Sequence, residues 1–215
     1  NLVSPGFMDH VRAIVPNARL ATFTNGIDDE FLEQSFEKPR SNKVTVLYAG
    51  NLGASQALEC VVPLAAESLK STHTFRIIGD GARRQALLNA SNRLTNLEVR
   101  APVPRSQLID EYRNADILML HLDRLPAFDK VLPSKLFEYG ATGKPIVAGV
   151  RGYAAEFISR ELDNAEVFEP LSATGLIDAI KAVGIETSAR PTFSSRYRRS
   201  NIMNELMEDV LEVAA

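Results

Sequence analysis

Tryptophan is absent from these 215 residues, cysteine occurs once and histidine three times. A lone thiol excludes an internal disulfide framework and suits a reducing compartment. Cys60 lies in the apolar context LECVV, so it is expected to be buried and inert. His10 and His73 read as surface residues, and no clustered His/Asp spacing suggests a metal. No apolar run reaches the ~20 residues of a membrane span, and the first residues carry no signal-peptide pattern. Neither sign of charge dominates; a net charge of -3 lacks the basic footprint of a nucleic-acid binder. The 45% hydrophobic and 24% charged content is that of an ordinary globular chain, long enough for one good-sized domain or slightly more.

What the chain does contain is alternation. Short β-branched or wholly apolar runs at 43–50, 73–79, 97–103, 115–122, 144–150 and 165–170 read as strands, most of them closed by Gly or Pro. Helical patterns lie between them, near 55–70, 81–92, 105–114, 133–142, 151–160 and 172–183. The runs at 45–49 and 116–120 have no polar alternate, as in strands buried on both faces. This predicts an α/β doubly wound parallel sheet with right-handed crossovers, whose ligands bind outside the carboxyl ends of the strands.

The two ends stand apart. Residues 1–23 read as a strand–helix–strand piece, followed by the turn TNGID at 24–28 and the polar connection EKPRSNK at 37–43. SARPT at 188–192 reads as a loop, and the rest as one long final helix. Ile202, Leu206 and Val210 form an i, i+4 stripe there, flanked by Met203, Met207 and Leu211. Such a stripe covers either its own domain or another one. The cluster Arg196-Tyr197-Arg198-Arg199 has three readings: solvated, paired with another domain, or set against acidic lipid headgroups, a peripheral membrane contact.

Two glycine-bearing turns follow strands. The first run ends in Gly50-Asn51-Leu52-Gly53, with a helix expected to start near Ala54 or Ser55 and to include Gln56. Glycines at such a turn let backbone N–H groups approach a phosphate, although tight βα turns also use glycine for geometry alone. GDGARR at 79–84, opening on Gly79, matches neither the dinucleotide GxGxxG fingerprint nor a Walker loop.

The stretch VLPSKLFEYGATGKPIVAG, 131–149, carries more. Pro133 suits a first helical turn, which needs no N–H donor from it. Ser134 and Lys135 then share that turn, where a lysine opposes the helix dipole unless an anion is bound in front of it. Glu138 shares their face and could accept from two vicinal sugar hydroxyls. The other reading is a local pairing of Ser134 or Lys135 with Glu138, worth little on a surface. Spacing alone leaves the two even.

The ordered series TNGID, YAGNLGASQAL, RIIGDGARRQAL, APVPRSQLIDEYRNADI and LPSKLFEYGATGKPIVAG resembles the C-terminal half of a GT-B retaining glycosyltransferase. The likeness is to the glycogen synthase and sucrose synthase group, and most of all to bacterial enzymes of surface-polysaccharide synthesis. The resemblance implies one Rossmann-like half of a GT-B fold, with residues 1–28 as the tail of an N-terminal domain plus linker. It makes 29–192 the nucleotide-sugar domain and 193–215 a helix crossing back to the missing N-terminal domain. It also implies a UDP- or GDP-linked sugar donor, a saccharide or lipid-linked acceptor and no metal or other cofactor. The location would be the cytoplasm, at or near the inner membrane face. Gly50, Asn51, Gly53, Ser55, Gln56 and Gly79, with Pro133, Ser134 and Lys135, would face the diphosphate end. The turn of Ala101, Pro102 and Val103 would meet the base through backbone groups, and Glu138 the ribose.

Two positions depart from that pattern. The family's E-x7-E pair has its second glutamate at Glu138, but Lys130 stands at the first, where the transferred sugar is usually held. A phosphate-binding lysine usual after the first glycine loop is replaced by Ala54-Ser55-Gln56-Ala57, a charge that Lys135 or Lys130 could supply. His121, at a strand end, is a candidate sugar contact beside Lys130, or simply a polar strand end. Asp123 and Asp129 flank an expected loop over the site. The alternatives to a transferase are a sugar-nucleotide epimerase of the same architecture, or a non-catalytic nucleotide-binding module.

Overall fold

The computed structural model describes residues 1–38 and 41–214, so Pro39 and Arg40 of the 37–43 connection, and Ala215 of the final helix, lie outside the described residues. In chain order the helices and strands begin with α1 (Met8–Ile14), α2 (Asp29–Leu32), β1 (Val44–Asn51), α3 (Val62–Ser68) and β2 (His73–Asp80). Next come α4 (Arg84–Ser91), β3 (Leu97–Arg100), α5 (Arg105–Asn114), β4 (Ile117–His121) and α6 (Lys135–Thr142). The chain continues with β5 (Ile146–Gly149), α7 (Gly152–Glu161), β6 (Ala165–Phe168), α8 (Ala173–Ala182), α9 (Pro191–Arg196) and α10 (Arg199–Ala214).

The strands form one parallel sheet in the order β3-β2-β1-β4-β5-β6. All six predicted strands are present, the 97–103 and 165–170 runs pairing only as far as Arg100 and Phe168. β1 is central because its alternate side chains are apolar in both directions. Leu47 and Ala49 face a core built with α5, α6 and α7, while Val46 and Tyr48 face a second core under α3 and α8. β4 divides in the same way, Leu118 and Leu120 against Ile117 and Met119. After β1 the chain builds β2 and β3 on one side, then returns to lay β4 on the other. The carboxyl ends of β1 and β4 therefore flank a topological switch point.

Three expectations about the ends change. Among the described residues, 1–23 hold α1 but no strand; this piece meets the rest through contacts such as the Ser4 hydroxyl donating to the Lys130 carbonyl. The final helix is two helices. Ile27, fully buried, sits at the break between them, its N–H donating to the Tyr197 carbonyl at 2.7 Å and its carbonyl accepting from Arg199 N–H at 2.8 Å. Gly26 precedes it at φ 69°, pressed so close to Arg199 that a side chain has no room. Of the α10 stripe only Ile202 is buried; Met207, Val210 and Leu211 are at least half exposed. The stripe's own domain thus covers only its first residue.

α9 is anchored by an aromatic cluster. Phe193 and Tyr197 pack on Phe137 of α6 and Phe157 of α7, with ring centroids 4.8–6.5 Å apart. Arg190, just before α9, is buried; its guanidinium donates to the Gly140 and Lys144 carbonyls at the negative end of α6. Burial lowers its pKa to about 10 despite the pull of the Asp163 carboxylate. Gly140 lets Phe193 lie directly on α6, and a Cβ at that position would run into the ring. Gly140→Ala therefore sets a helix-propensity gain of ~1 kcal/mol against overpacking of ~1–3 kcal/mol. The expected outcome is a melting temperature a few degrees lower; an unchanged or higher one would show that α9 is not packed this way.

Candidate functional site

The carboxyl ends of β1 and β2 approach each other through glycine. A side chain at Gly79 would occupy the space of the Gly50 carbonyl. The loops that follow interlock: Leu52 N–H donates to the Asp80 carbonyl and Arg83 N–H to the Leu52 carbonyl, both at 2.7 Å. This leaves a cavity of about 300 Å³ floored by Ala49, Gly50, Asn51, Ile78, Gly79 and Asp80. Pro102, Val103 and Leu108 wall one side, and Lys135 closes the other. A larger cavity of about 570 Å³ lies by the carboxyl end of α6, lined by Ala141, Thr142 and Arg190, away from the strand ends where ligands of such sheets bind.

Lys135 is the first residue of α6, and its stem passes against Gly50. Among the described residues no hydrogen bond or ion pair reaches its ammonium, and burial lowers its pKa despite the pull of Glu138. Lys135 and Glu138 are not paired with each other. Glu138 instead accepts from the Tyr112 hydroxyl at 2.9 Å and lies 3.5 Å from the Arg105 guanidinium. The local-pairing reading of this stretch is therefore replaced by two residues of α5. Arg105 also bonds Asp28 and Glu30, so it joins the turn at 24–28 to the Glu138 carboxylate.

The other predicted residues divide. Gly50, Asn51, Gly79, Val103 and Lys135 line the cavity, as does Pro102. Gly53 and Gln56 support it: the Gln56 side chain accepts from Asn51 at 3.0 Å and from Gly53 N–H at 3.3 Å. Ser55 has its carbonyl occupied by Asp123 N–H at 2.9 Å. Ser134 is the exposed N-cap of α6, without a side-chain bond to the helix, and the Pro133 carbonyl takes the Leu136 N–H at 3.1 Å. Ala101 is exposed on the turn beyond β3.

Three readings are corrected. No α-helix starts at Ala54; two 3-10 turns, Ala54–Gln56 and Leu58–Cys60, meet at Ala57 in the left-handed region (φ 42°), and α3 begins only at Val62. A long helix dipole is thus absent behind this glycine loop. Cys60 is exposed, because the second 3-10 turn points it outward; its pKa is nevertheless raised by local desolvation and by Glu59 and Asp123. His121 is fully buried with both ring nitrogens engaged, so it is not free to contact a sugar. Lys130 ends the 3-10 turn Pro126–Lys130 and does not line the cavity, nor do Asp123 and Asp129. The arginines of the basic cluster are exposed, as in its solvated reading, and pair within the chain, Arg196 with Glu161, Arg198 with Asp29 and Arg199 with Asp28. Sequence reasoning missed Tyr112 and Arg105, which meet the site only through chain folding, and Asp80, which follows Gly79 at the carboxyl end of β2, where the strand-end rule could have found it.

An unpaired, partly buried ammonium works against folding. Lys135→Met keeps the stem and removes the charge, so its expected effect is unchanged or slightly higher stability, up to about 1 kcal/mol, in chemical denaturation. A marked loss would mean that the ammonium has a partner after all.

Comparison with known proteins adds the following. The family described as glycosyl transferases group 1 matches residues 43–183. A putative colanic acid biosynthesis glycosyl transferase of Escherichia coli (strain K12), WcaI, is 25% identical over 191 residues, covering 85% of this chain and 46% of the relative. A glycosyltransferase from Rickettsia africae ESF-5 superposes with a TM-score of 0.78 at 16% identity, over 99% of this chain and 62% of that one. Anabaena Alr3699/HepE, solved in complex with UDP-glucose, superposes with a TM-score of 0.73 at 18% identity, over 98% of this chain and 63% of that one. The chain thus spans about half to three fifths of the length of the proteins it resembles. No helix among the described residues is long and apolar enough to cross a membrane.

Proposed function

The chain belongs to the glycosyl transferases group 1 family, and on that premise we propose that it is the donor half of a glycosyltransferase of bacterial surface-polysaccharide synthesis. The observation that carries this reading is the Lys135 ammonium, at the N-terminus of α6, beside the glycine-lined cavity and without an anionic partner among the described residues. A helix start and a spare cation together select an anion. A nucleoside diphosphate fits the rest. Its diphosphate meets Lys135, Ser134 and the 50–53 loop, its base the turn at 101–103, and its ribose Glu138. The Glu138 carboxylate can still accept from ribose hydroxyls, because Tyr112 and Arg105 do not exhaust its lone pairs.

In transfer, the diphosphate leaves with added negative charge. Lys135 and the α6 N-terminus then stabilise the leaving group more than the bound donor, which is the condition for lowering the barrier. On this reading nucleotide binding needs no metal. The acceptor is a saccharide or lipid-linked sugar held by a second, N-terminal domain, and the UDP-glucose bound by HepE is the nearest indication of donor type. Residues 1–28 would be the tail of that domain plus linker, 29–192 the nucleotide-sugar domain and 193–215 the returning helical segment. The whole would work in the cytoplasm, at or near the membrane face where a lipid-linked acceptor resides.

Calorimetric titration of the chain with UDP and with GDP, each with and without EDTA, tests this. Binding of at least one nucleotide, unaffected by EDTA, is expected. Lys135→Met and Glu138→Ala should each weaken it by roughly tenfold or more, the scale of a lost charge-assisted hydrogen bond. Wild-type affinity in both variants would remove the site from this cavity, and no binding at millimolar nucleotide would overturn the donor reading.

A further inference from the structure

We propose that His121 is a positioning residue for the nucleotide cavity: the neutral ring ties the glycine loop to the loop after β6, and a second proton on the ring releases that tie. The inference rests on the donor reading above for its effect on binding, and on the following geometry for the tie itself.

His121 ends β4 and is fully buried. Its Nδ1 lies 2.6 Å from the Gln56 carbonyl, which can only accept, so Nδ1 carries the proton. Its Nε2 lies 3.0 Å from Leu171 N–H, which can only donate, so Nε2 carries none. One neutral tautomer satisfies both bonds. In an imidazolium, the new N–H would point at the Leu171 N–H.

The ring has nowhere else to go. A side chain at Gly149 would collide with it, and Phe168 stacks on it at 5.8 Å. Leu171 is a non-glycine residue in the left-handed region, φ 63°, a conformation that costs energy and is retained because its surroundings hold it. From Gln56 the chain of bonds continues through its side chain to Gly53 N–H and to Asn51, which lines the cavity. β1, β4 and β6 thus share one hydrogen-bonded brace, with His121 at its centre.

The charged groups around the ring do not fix its state by themselves. Glu59 and Asp123 favour a proton, but Glu59 is paired with Arg83 at 3.2 Å, and Glu169 of the loop after β6 faces Arg124 and Arg151. Burial acts the other way and is the larger effect, lowering the pKa from its ordinary value. The tie therefore contributes fully above about pH 6.5, and it is lost as pH falls from there through the lowered folded value.

Titration of wild type, His121→Asn and His121→Phe with UDP between pH 8 and pH 5 tests the effect on binding. His121→Asn keeps a donor and an acceptor but does not titrate, whereas His121→Phe keeps bulk and loses both bonds. Roughly tenfold weaker binding is expected for the Phe variant at pH 8, with partial rescue in Asn. The loss of wild-type affinity toward pH 5 should exceed that of either variant, for which only the nucleotide's own phosphate titrates. Wild-type affinity and an unaltered acid limb in His121→Phe would overturn the proposal.

Amide hydrogen exchange of the free protein, corrected for intrinsic rates, reads the tie without nucleotide. Protection at Leu171 and Gly53 should fall severalfold, up to about tenfold, in wild type between pH 7.5 and 5.5, and should be low throughout in the Phe variant. If wild type binds neither UDP nor GDP at pH 8, the donor reading fails by itself, and exchange at Leu171 still decides. Equal protection in wild type and the Phe variant would overturn the tie.

Discussion

An ammonium group held at the start of a helix, with no hydrogen bond or ion pair among the described residues, is the constraint around which one end of this sheet is arranged. Lys135 faces the positive end of α6, where a cation is unfavourable, and lies partly out of water, where it is more so. Nothing about packing demands a charge there. The glycines at 50 and 79 remove side chains that would fill the space in front of it. Tyr112 and Arg105 hold Glu138, which would otherwise be the natural partner for the lysine.

A second layer of structure connects that end of the sheet to the chain's extremities. Arg105 reaches from α5 to Glu138 and also to Asp28 and Glu30, while Asp28 and Asp29 take Arg199 and Arg198. Ile27 is locked between α9 and α10 by two backbone bonds. The turn at 24–28 is therefore fastened both to Glu138, through Arg105, and to the final helices. Most of these ion pairs are exposed and individually weak. Their importance is geometric, since they give the segment one position relative to the site.

The strand and helix order was legible because parallel-sheet strands announce themselves as apolar runs and the helices as 3.6-residue patterns. The central cavity was legible for the same reason, Gly50, Gly79, Val103 and Lys135 all lying at strand ends or a helix start. Where reading failed, the cause was a contact between distant segments. The apolar setting of Cys60 suggested burial, but two 3-10 turns replaced the expected helix and turned the thiol outward. The continuous helical pattern after 193 is interrupted at Tyr197 and Arg198 because Ile27 inserts there. Of the three readings left open for the arginines at 196–199, none named Glu161, Asp28 and Asp29, the carboxylates that folding brings to them.

By itself, the sequence determined the layered α/β architecture and the glycine loops at the strand ends that line the cavity. These follow from local periodicity and from the chemistry of single positions. Tertiary structure alone decided the partners: Tyr112 and Arg105 on Glu138, a solitary Lys135, and His121 satisfied on both nitrogens. Partnership depends on which segments of the chain meet in space, and residues 26 to 65 positions apart leave no mark on each other's neighbours.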